Sequence, residues 1–229
     1  MSSTTTSAEL VVEDLLLVLF DERHHLFRGE GQRLFHALAG ALLVDLAEQG
    51  LVTPDADDPR DAVRAASEIP PGDELLRIGW DVVARRPVTA QSFVLQVGPR
   101  LRAPVIDRLV DRGHLGSERR KILGFVPSTR LTAGESTRRE QLVETIRGVL
   151  VDGDQAGTHD SAVAAILFAA GAAPLMHPEI PWSGAVHAHG TELVSASRAA
   201  TGTAEVVHQM IATLVSTSVF VSLAAGSRD

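Results

Sequence analysis

Residues 10–20, Leu-Val-Val-Glu-Asp-Leu-Leu-Leu-Val-Leu-Phe, are apolar on nearly every side of a helical wheel. A helix of that kind has no solvent face and must be wrapped by others, so the segment predicts a central spine for a helix-rich core. At 229 residues the chain is long enough to bury one large core, and nothing marks an internal boundary. A single domain over residues 9–229, behind a disordered tail at residues 1–8, is therefore expected. Glu13 and Asp14 interrupt the apolar run and no basic residue precedes it, which is not the pattern of a secretory signal. The expected location is the cytoplasm.

The segments that follow read mostly as helices. Leu34, Leu38, Leu42 and Leu46 recur at four-residue steps with Phe35 alongside, and Gly50 supplies the left-handed residue that closes a helix. Residues 51–53 and 62–66 flank a turn-rich stretch and read either as two short strands or as a loop. Asp73 is placed to cap a helix through Leu75, Leu76, Trp80 and Val83, which must end near Arg86 because Pro87 follows. Residues 89–97 predict a short helix that Pro99 breaks. A new helix then carries Pro104 in its first turn and Gly113 at its end.

From Arg119 the apolar Ile122, Leu123, Phe125 and Val126, a turn at Pro127 and Ser128, and Thr129 to Thr132 predict a β-hairpin. Helical periodicity resumes over residues 137–151, with Leu142, Ile146, Val149 and Leu150 on one face, over 159–172, and more weakly over 182–198. Residues 206–225 are almost uncharged and long enough to span a bilayer, but their dense Ser and Thr read as a buried terminal helix. The fold class is mainly α: a single compact multi-helix domain with a short β-hairpin.

Chemistry-bearing patterns are few. There is no cysteine, which removes disulfides, thiolate metal sites and cysteine nucleophiles. Asp152, Asp154 and Asp160 with Gly157 imitate a calcium loop, but Ala156 and Val163 stand where two further acidic ligands are needed. The segment reads instead as a polar loop whose Thr158 or Asp160 caps the next helix. His24 and His25 are adjacent and His187 and His189 are two apart, neither being the spacing of a helical metal pair. Asp45 and Glu48 share a helix face and read as adjacent exposed acids. No nucleophile elbow, phosphate loop or dinucleotide fingerprint is present. The expectation is a binding protein, not an enzyme, with no metal and no cofactor.

Charge gives the one positive indication. The net charge is −8, yet residues 100–147 hold ten arginines and Lys121 against six carboxylates, a surplus of five, which leaves −13 on the remainder. Twenty of the chain's cations are arginine and one is lysine, a bias of GC-rich bacterial genomes. Such asymmetry suits an anionic partner at close range. The negative total and the lack of aromatics among the basic residues argue against nucleic acid. Arg100 and Arg102 precede a predicted helix that carries Arg108 and Arg112, and a helix start with guanidinium groups beside it is chemically an anion site.

The ordered set Glu13-Asp-Leu-Leu-Leu-Val-Leu, Leu38-Ala-Gly-Ala-Leu-Leu-Val-Asp-Leu-Ala-Glu-Gln-Gly-Leu51, Arg108-Leu-Val-Asp-Arg-Gly-His-Leu115 and the hairpin over 122–132 resembles the Golgi phosphoprotein 3 family and its bacterial relatives. The resemblance implies one mainly helical domain with a hydrophobic hairpin. In eukaryotic members it implies peripheral membrane binding through phosphatidylinositol 4-phosphate, without enzyme activity. Family headgroup contacts are a tryptophan, an arginine in a Leu-Arg-Gly start and two arginines three apart. They fall near Glu30, on Ala39, on Pro99 and on Arg102, with Arg100 adjacent and Arg33 one turn before Ala39 as a substitute.

The resemblance thus implies an anionic phospholipid, or another phosphate-bearing ligand, held by Arg102, Arg100 and Arg33, with peripheral attachment to the inner membrane face. Losing one bidentate arginine costs a desolvated phosphate site about 2 kcal/mol. Leu123, Phe125 and Val126 at the hairpin imply membrane contact or oligomerisation. The alternative expectation is an adaptor that forms homo-oligomers through this hairpin without binding lipid.

Overall fold

The computed structural model describes residues 9–55, 62–122 and 126–196. Helix α1 (Val11–Leu19) is the spine, with all nine side chains buried and α2, α4, α5 and α6 packed around it. Each of its buried Leu and Val side chains contributes about 1.5–3 kcal/mol of transfer free energy. A helix without a solvent face must also satisfy its end groups from inside the protein. At its N-terminus the Asp45 carboxylate accepts from Val11 N at 2.7 Å and Val12 N at 3.0 Å, while Glu13 accepts from Leu10 N at 3.1 Å. At its C-terminus Arg139 Nε donates to Phe20 O at 2.9 Å and Nη2 reaches Val18 O at 3.5 Å. Asp45 is therefore no exposed acid; it is 3% exposed, and only Glu48 faces solvent. Its two bonds to α1 satisfy both oxygens of an acid buried in the core.

Short strands β1 (Phe20–Asp21) and β2 (Leu26–Phe27) pair antiparallel and lead into α2 (Gln32–Glu48), whose leucine stripe is buried as the periodicity requires. Gly50 at φ +66° ends α2, with Leu51 N donating back to Leu46 O at 2.9 Å. Residues 52–54 and 62–65 are strands, not loop: β3 (Val52–Pro54), β4 (Ala62–Ala65) and β5 (Val88–Thr89) form one antiparallel sheet in the order β3-β4-β5. Between β4 and β5 lies α3 (Glu74–Val83). It is capped as expected by Asp73, which accepts from Leu75 N and Leu76 N.

Helix α4 (Ala90–Asp111) departs from the sequence expectation, running unbroken for 22 residues with Pro99 and Pro104 inside it. Proline disfavours helix at the preceding residue largely by clashing with its backbone N–H and Cβ, and that residue is Gly98. A Cβ on Gly98 would stand 2.6 Å from Phe35 O of α2. The same missing side chain thus relieves the proline clash and lets α4 close onto α2. Packing across that contact overrides the local breaking tendency.

A hairpin follows, β6 (Leu115–Ile122) with β7 (Val126–Ala133), in register from Leu115↔Ala133 to Ile122↔Val126. It is longer than the sequence suggests, and Pro127 and Ser128 are strand residues opposite Lys121 and Arg120, not a turn. The β1–β2 turn is tied to β7 by His25, which adopts φ 58° and places Nδ1 2.9 Å from Leu131 O. Helix α5 (Arg138–Arg147) continues as a π-turn over Gly148–Asp152. Helix α6 (Thr158–Ala169) starts from Gly157 without a side-chain cap, so neither Thr158 nor Asp160 has the capping role. Helix α7 (Gly184–Ala196) ends the described chain, a mainly α, compact single domain. Among the described residues no helix is long and apolar enough to cross a membrane. The expected terminal helix at 206–225 and the tail at 1–8 lie outside the described residues.

Candidate functional site

Because α4 is continuous, Arg100 and Arg102 sit in its middle turns and not at its start. The helix N-terminus beside Arg102 belongs to α2. Gly31, at φ +93° and ψ −140°, brings the chain into α2 with no side-chain cap, and no acid lies in the first turn. Glu30 immediately precedes it. Arg102 Nε lies 2.7 Å from Glu30 Oε1, and Nη2 donates to Oε2 at 3.3 Å. The guanidinium also stacks 5.3 Å from the centroid of the Phe27 ring, which is buried against Phe20. Arg102 is thus held by an aromatic face on one side and a carboxylate on the other.

Arg33, in the first turn of α2, is half-buried. Its Cδ and Leu175 Cδ1 both lie 3.5 Å from where a Cβ on Gly29 would stand. Arg100 is exposed and forms no ion pair among the described residues. The structure therefore gathers Arg102 and Arg33 about the start of α2, with Arg100 two residues away on α4. A cation in a helix's first turn opposes the helix dipole. Two arginines and an uncapped N-terminus meeting there leave a positive site whose only described carboxylate partner is Glu30.

Four further basic residues of the 100–147 segment have a different role from the one the segment's surplus suggests. Arg108 makes a bidentate pair with Asp73 at 2.7 and 3.1 Å, and Arg112 Nε approaches Glu13 at 3.3 Å. Arg138 binds both Asp14 oxygens at 3.1 and 2.5 Å, and His159 Nε2 lies 2.7 Å from the same carboxylate. Arg139 and Arg28 both pair with Glu179. These four arginines of the segment, Arg108, Arg112, Arg138 and Arg139, are thus committed to carboxylates, two of which, Glu13 and Asp14, are buried on α1.

Burial pushes Glu13 upward in pKa against the pull of Leu10 N–H, Arg112 and Arg108. Burial acts the same way on Asp14, but hydrogen bonds from His159 and Arg138 overcome it and hold Asp14 low; the same contact raises His159. Asp45, with only backbone donors, is pushed by burial up to about 8. One signal for this network was visible in the sequence: Glu13 and Asp14 in an otherwise apolar helix persist only if each finds a partner.

Of the hairpin residues, Leu123 and Phe125 lie outside the described residues, and Val126 is the first residue of β7, opposite Ile122.

With this geometry in place, the chain compared with family models matches Golgi phosphoprotein 3 (GPP34) over residues 11–214. The chain belongs to the Golgi phosphoprotein 3 family. The match spans α1 to α7, so the ordered segments, the spine and the hairpin are those of one family domain. Among curated proteins no match is found.

Set against the family's headgroup contacts, Ala39 is fully buried, so an arginine there would have to enter the core of this Golgi phosphoprotein 3 domain. Glu30, near the family's tryptophan position, puts a carboxylate onto Arg102 where the family resemblance implies an aromatic ring.

Proposed function

We propose that this Golgi phosphoprotein 3 domain is a non-catalytic binding module that takes a phosphate-bearing headgroup at the start of α2. Arg102 makes the main contact and Arg33 and Arg100 flank it. The ligand is an anionic phospholipid, of phosphatidylinositol 4-phosphate type by family resemblance, and the protein sits peripherally on the inner face of the membrane. The observation that carries this reading is Arg102 paired with Glu30, just before the uncapped N-terminus of α2, whose first turn carries Arg33. Backbone N–H groups and guanidinium donors at one spot are the chemistry a phosphate oxygen set requires. Exposed Leu26 and Leu175, 61% and 36% accessible, lie on the segments around this end of α2 and suit contact with a bilayer interface.

The test is co-sedimentation with neutral vesicles, vesicles of graded phosphatidylserine content and vesicles holding phosphatidylinositol 4-phosphate, at low and high salt. Salt-sensitive binding to anionic vesicles that is lost in Arg100→Ala plus Arg102→Ala is the expected result. Equal or absent binding to all compositions refutes it and leaves the oligomerising adaptor as the better reading, checked by solution mass.

A further inference from the structure

A cavity lies away from the start of α2. It opens between the C-terminal end of α3 and the last residues of β4, with a volume of about 480 Å³, within the range of small-molecule pockets. Gly79 places α3 on the far half of α2, since a Cβ there would stand 2.8 Å from Leu46 Cδ1. From Gly31 to Leu46 the α2 axis runs roughly 22 Å at 1.5 Å per residue. The cavity is therefore distinct from the Arg102 site.

Its walls divide into two chemistries. Trp80, Val83 and Pro87 form an apolar side, and Trp80 is only 8% exposed. The indole N–H of Trp80 is buried and donates to no acceptor among the described residues, whereas buried indole N–H groups normally find one. The same lining holds Arg64, Arg85 and Arg86, with Glu68 as its single carboxylate among the described residues. Arg85 and Arg86 are exposed and form no ion pair among the described residues, and Arg64 reaches Asp55 only at 3.9 Å. Arg108, Arg112, Arg138 and Arg139, by contrast, are each committed to a carboxylate. A surplus of two positive charges thus faces an apolar wall on a chain whose net charge is −8.

We infer that this cavity binds a small amphiphilic anion, a phosphate or carboxylate carried on a compact apolar body. The apolar body lies on Trp80, and the anionic group meets Arg85 and Arg86. Both halves are required: the arginines alone are solvated cations, and the tryptophan wall alone offers no reason for them to converge there.

The chain has two tryptophans, so Trp182→Phe assigns the indole N–H resonance of Trp80 in a nitrogen–proton correlation spectrum. Phenyl phosphate is titrated into the full chain, with inorganic phosphate and benzyl alcohol as separate arms. Phenyl phosphate is expected to shift the Trp80 resonance saturably and at least tenfold more tightly than either fragment, the equivalent of one charge-assisted contact. Arg85→Ala plus Arg86→Ala is expected to keep the Trp80 resonance, which shows the fold intact, while weakening the response about tenfold. A Trp80 resonance unmoved at about 10 mM phenyl phosphate, an affinity weaker than any specific small-molecule site warrants, overturns the inference. So does an equal response in the double variant, or inorganic phosphate acting as well as the ester. Anionic vesicles that shift Trp80 when phenyl phosphate does not overturn it in favour of a lipid surface. Because neither arginine belongs to the Arg102 site, failure here leaves the vesicle result untouched.

Discussion

Replacing Asp45 by alanine tests how the spine helix is held. The parent carboxyl group accepts from Val11 N and Val12 N at 2.7 and 3.0 Å in an enclosed site. Each buried N–H left without an acceptor costs about 1–3 kcal/mol, so Asp45→Ala should lose about 2–6 kcal/mol. That is a large share of the roughly 5–15 kcal/mol by which a domain is stable. Glu48→Ala, three residues on and exposed, should stay within about 0.5 kcal/mol. Urea unfolding at about pH 5 compares the three proteins, with equal slopes required for the comparison.

The Asp45 carboxyl is raised from 3.8 to about 8 in the folded protein, mainly by burial. A raised carboxyl favours the folded state fully below its unfolded pKa, and that contribution is lost as pH climbs through the folded value. The gap between parent and Asp45→Ala should therefore be widest in acid and narrow toward pH 8, by at most about 1.4 kcal/mol per unit. A loss under about 0.5 kcal/mol at pH 5, or a gap that widens with pH, would refute the account of α1 given above.

Other outcomes follow from the same structure. His159 is raised by its bond to Asp14, so it stabilises below its unfolded pKa near 6.5 and that support disappears as pH rises through the folded value; His159→Gln should flatten the parent's decline in melting temperature across neutral and mildly alkaline pH. Pro99 interrupts the α4 ladder without ending the helix, so Pro99→Ala should raise stability by about 1 kcal/mol in urea unfolding, whereas a proline that opened a separate helix would be missed. Arg139 is 8% exposed and satisfies Phe20 O and Glu179 together, so Arg139→Ala should cost about 3–5 kcal/mol by calorimetry, through the charge and carbonyls it strands.

The parts of the fold legible beforehand were those that a single helix face dictates. The Leu34 to Leu46 stripe, the Asp73 cap and the closing glycines at 50 and 113 depend on neighbours within a few residues, and each is where the periodicity put it. What was not legible depends on contacts between segments far apart. Pro99 reads as a breaker until Gly98 is seen pressed against Phe35. Asp45 reads as surface until the first turn of α1 is set above it. Arg108, Arg112 and Arg138 read as part of a docking face until their partners, Asp73, Glu13 and Asp14, are placed. For the candidate site, Arg102 and Arg33 were identifiable, but the helix end they serve was not, because it belongs to α2 and not to the helix that carries Arg102.

One consequence concerns the order in which this molecule is made. The acceptor for the first amides of α1 comes 34 residues later, and the donor for its last carbonyl comes 119 residues later. At synthesis rates of about 5–20 residues per second, a chain that has just emitted α1 waits roughly 6–24 s before Arg139 even exists. Nine residues are too few to persist as a helix in water meanwhile. This apolar segment thus leaves the ribosome well before the residues that complete it, so the nascent protein depends on whatever shelters that stretch until α5 has been synthesised.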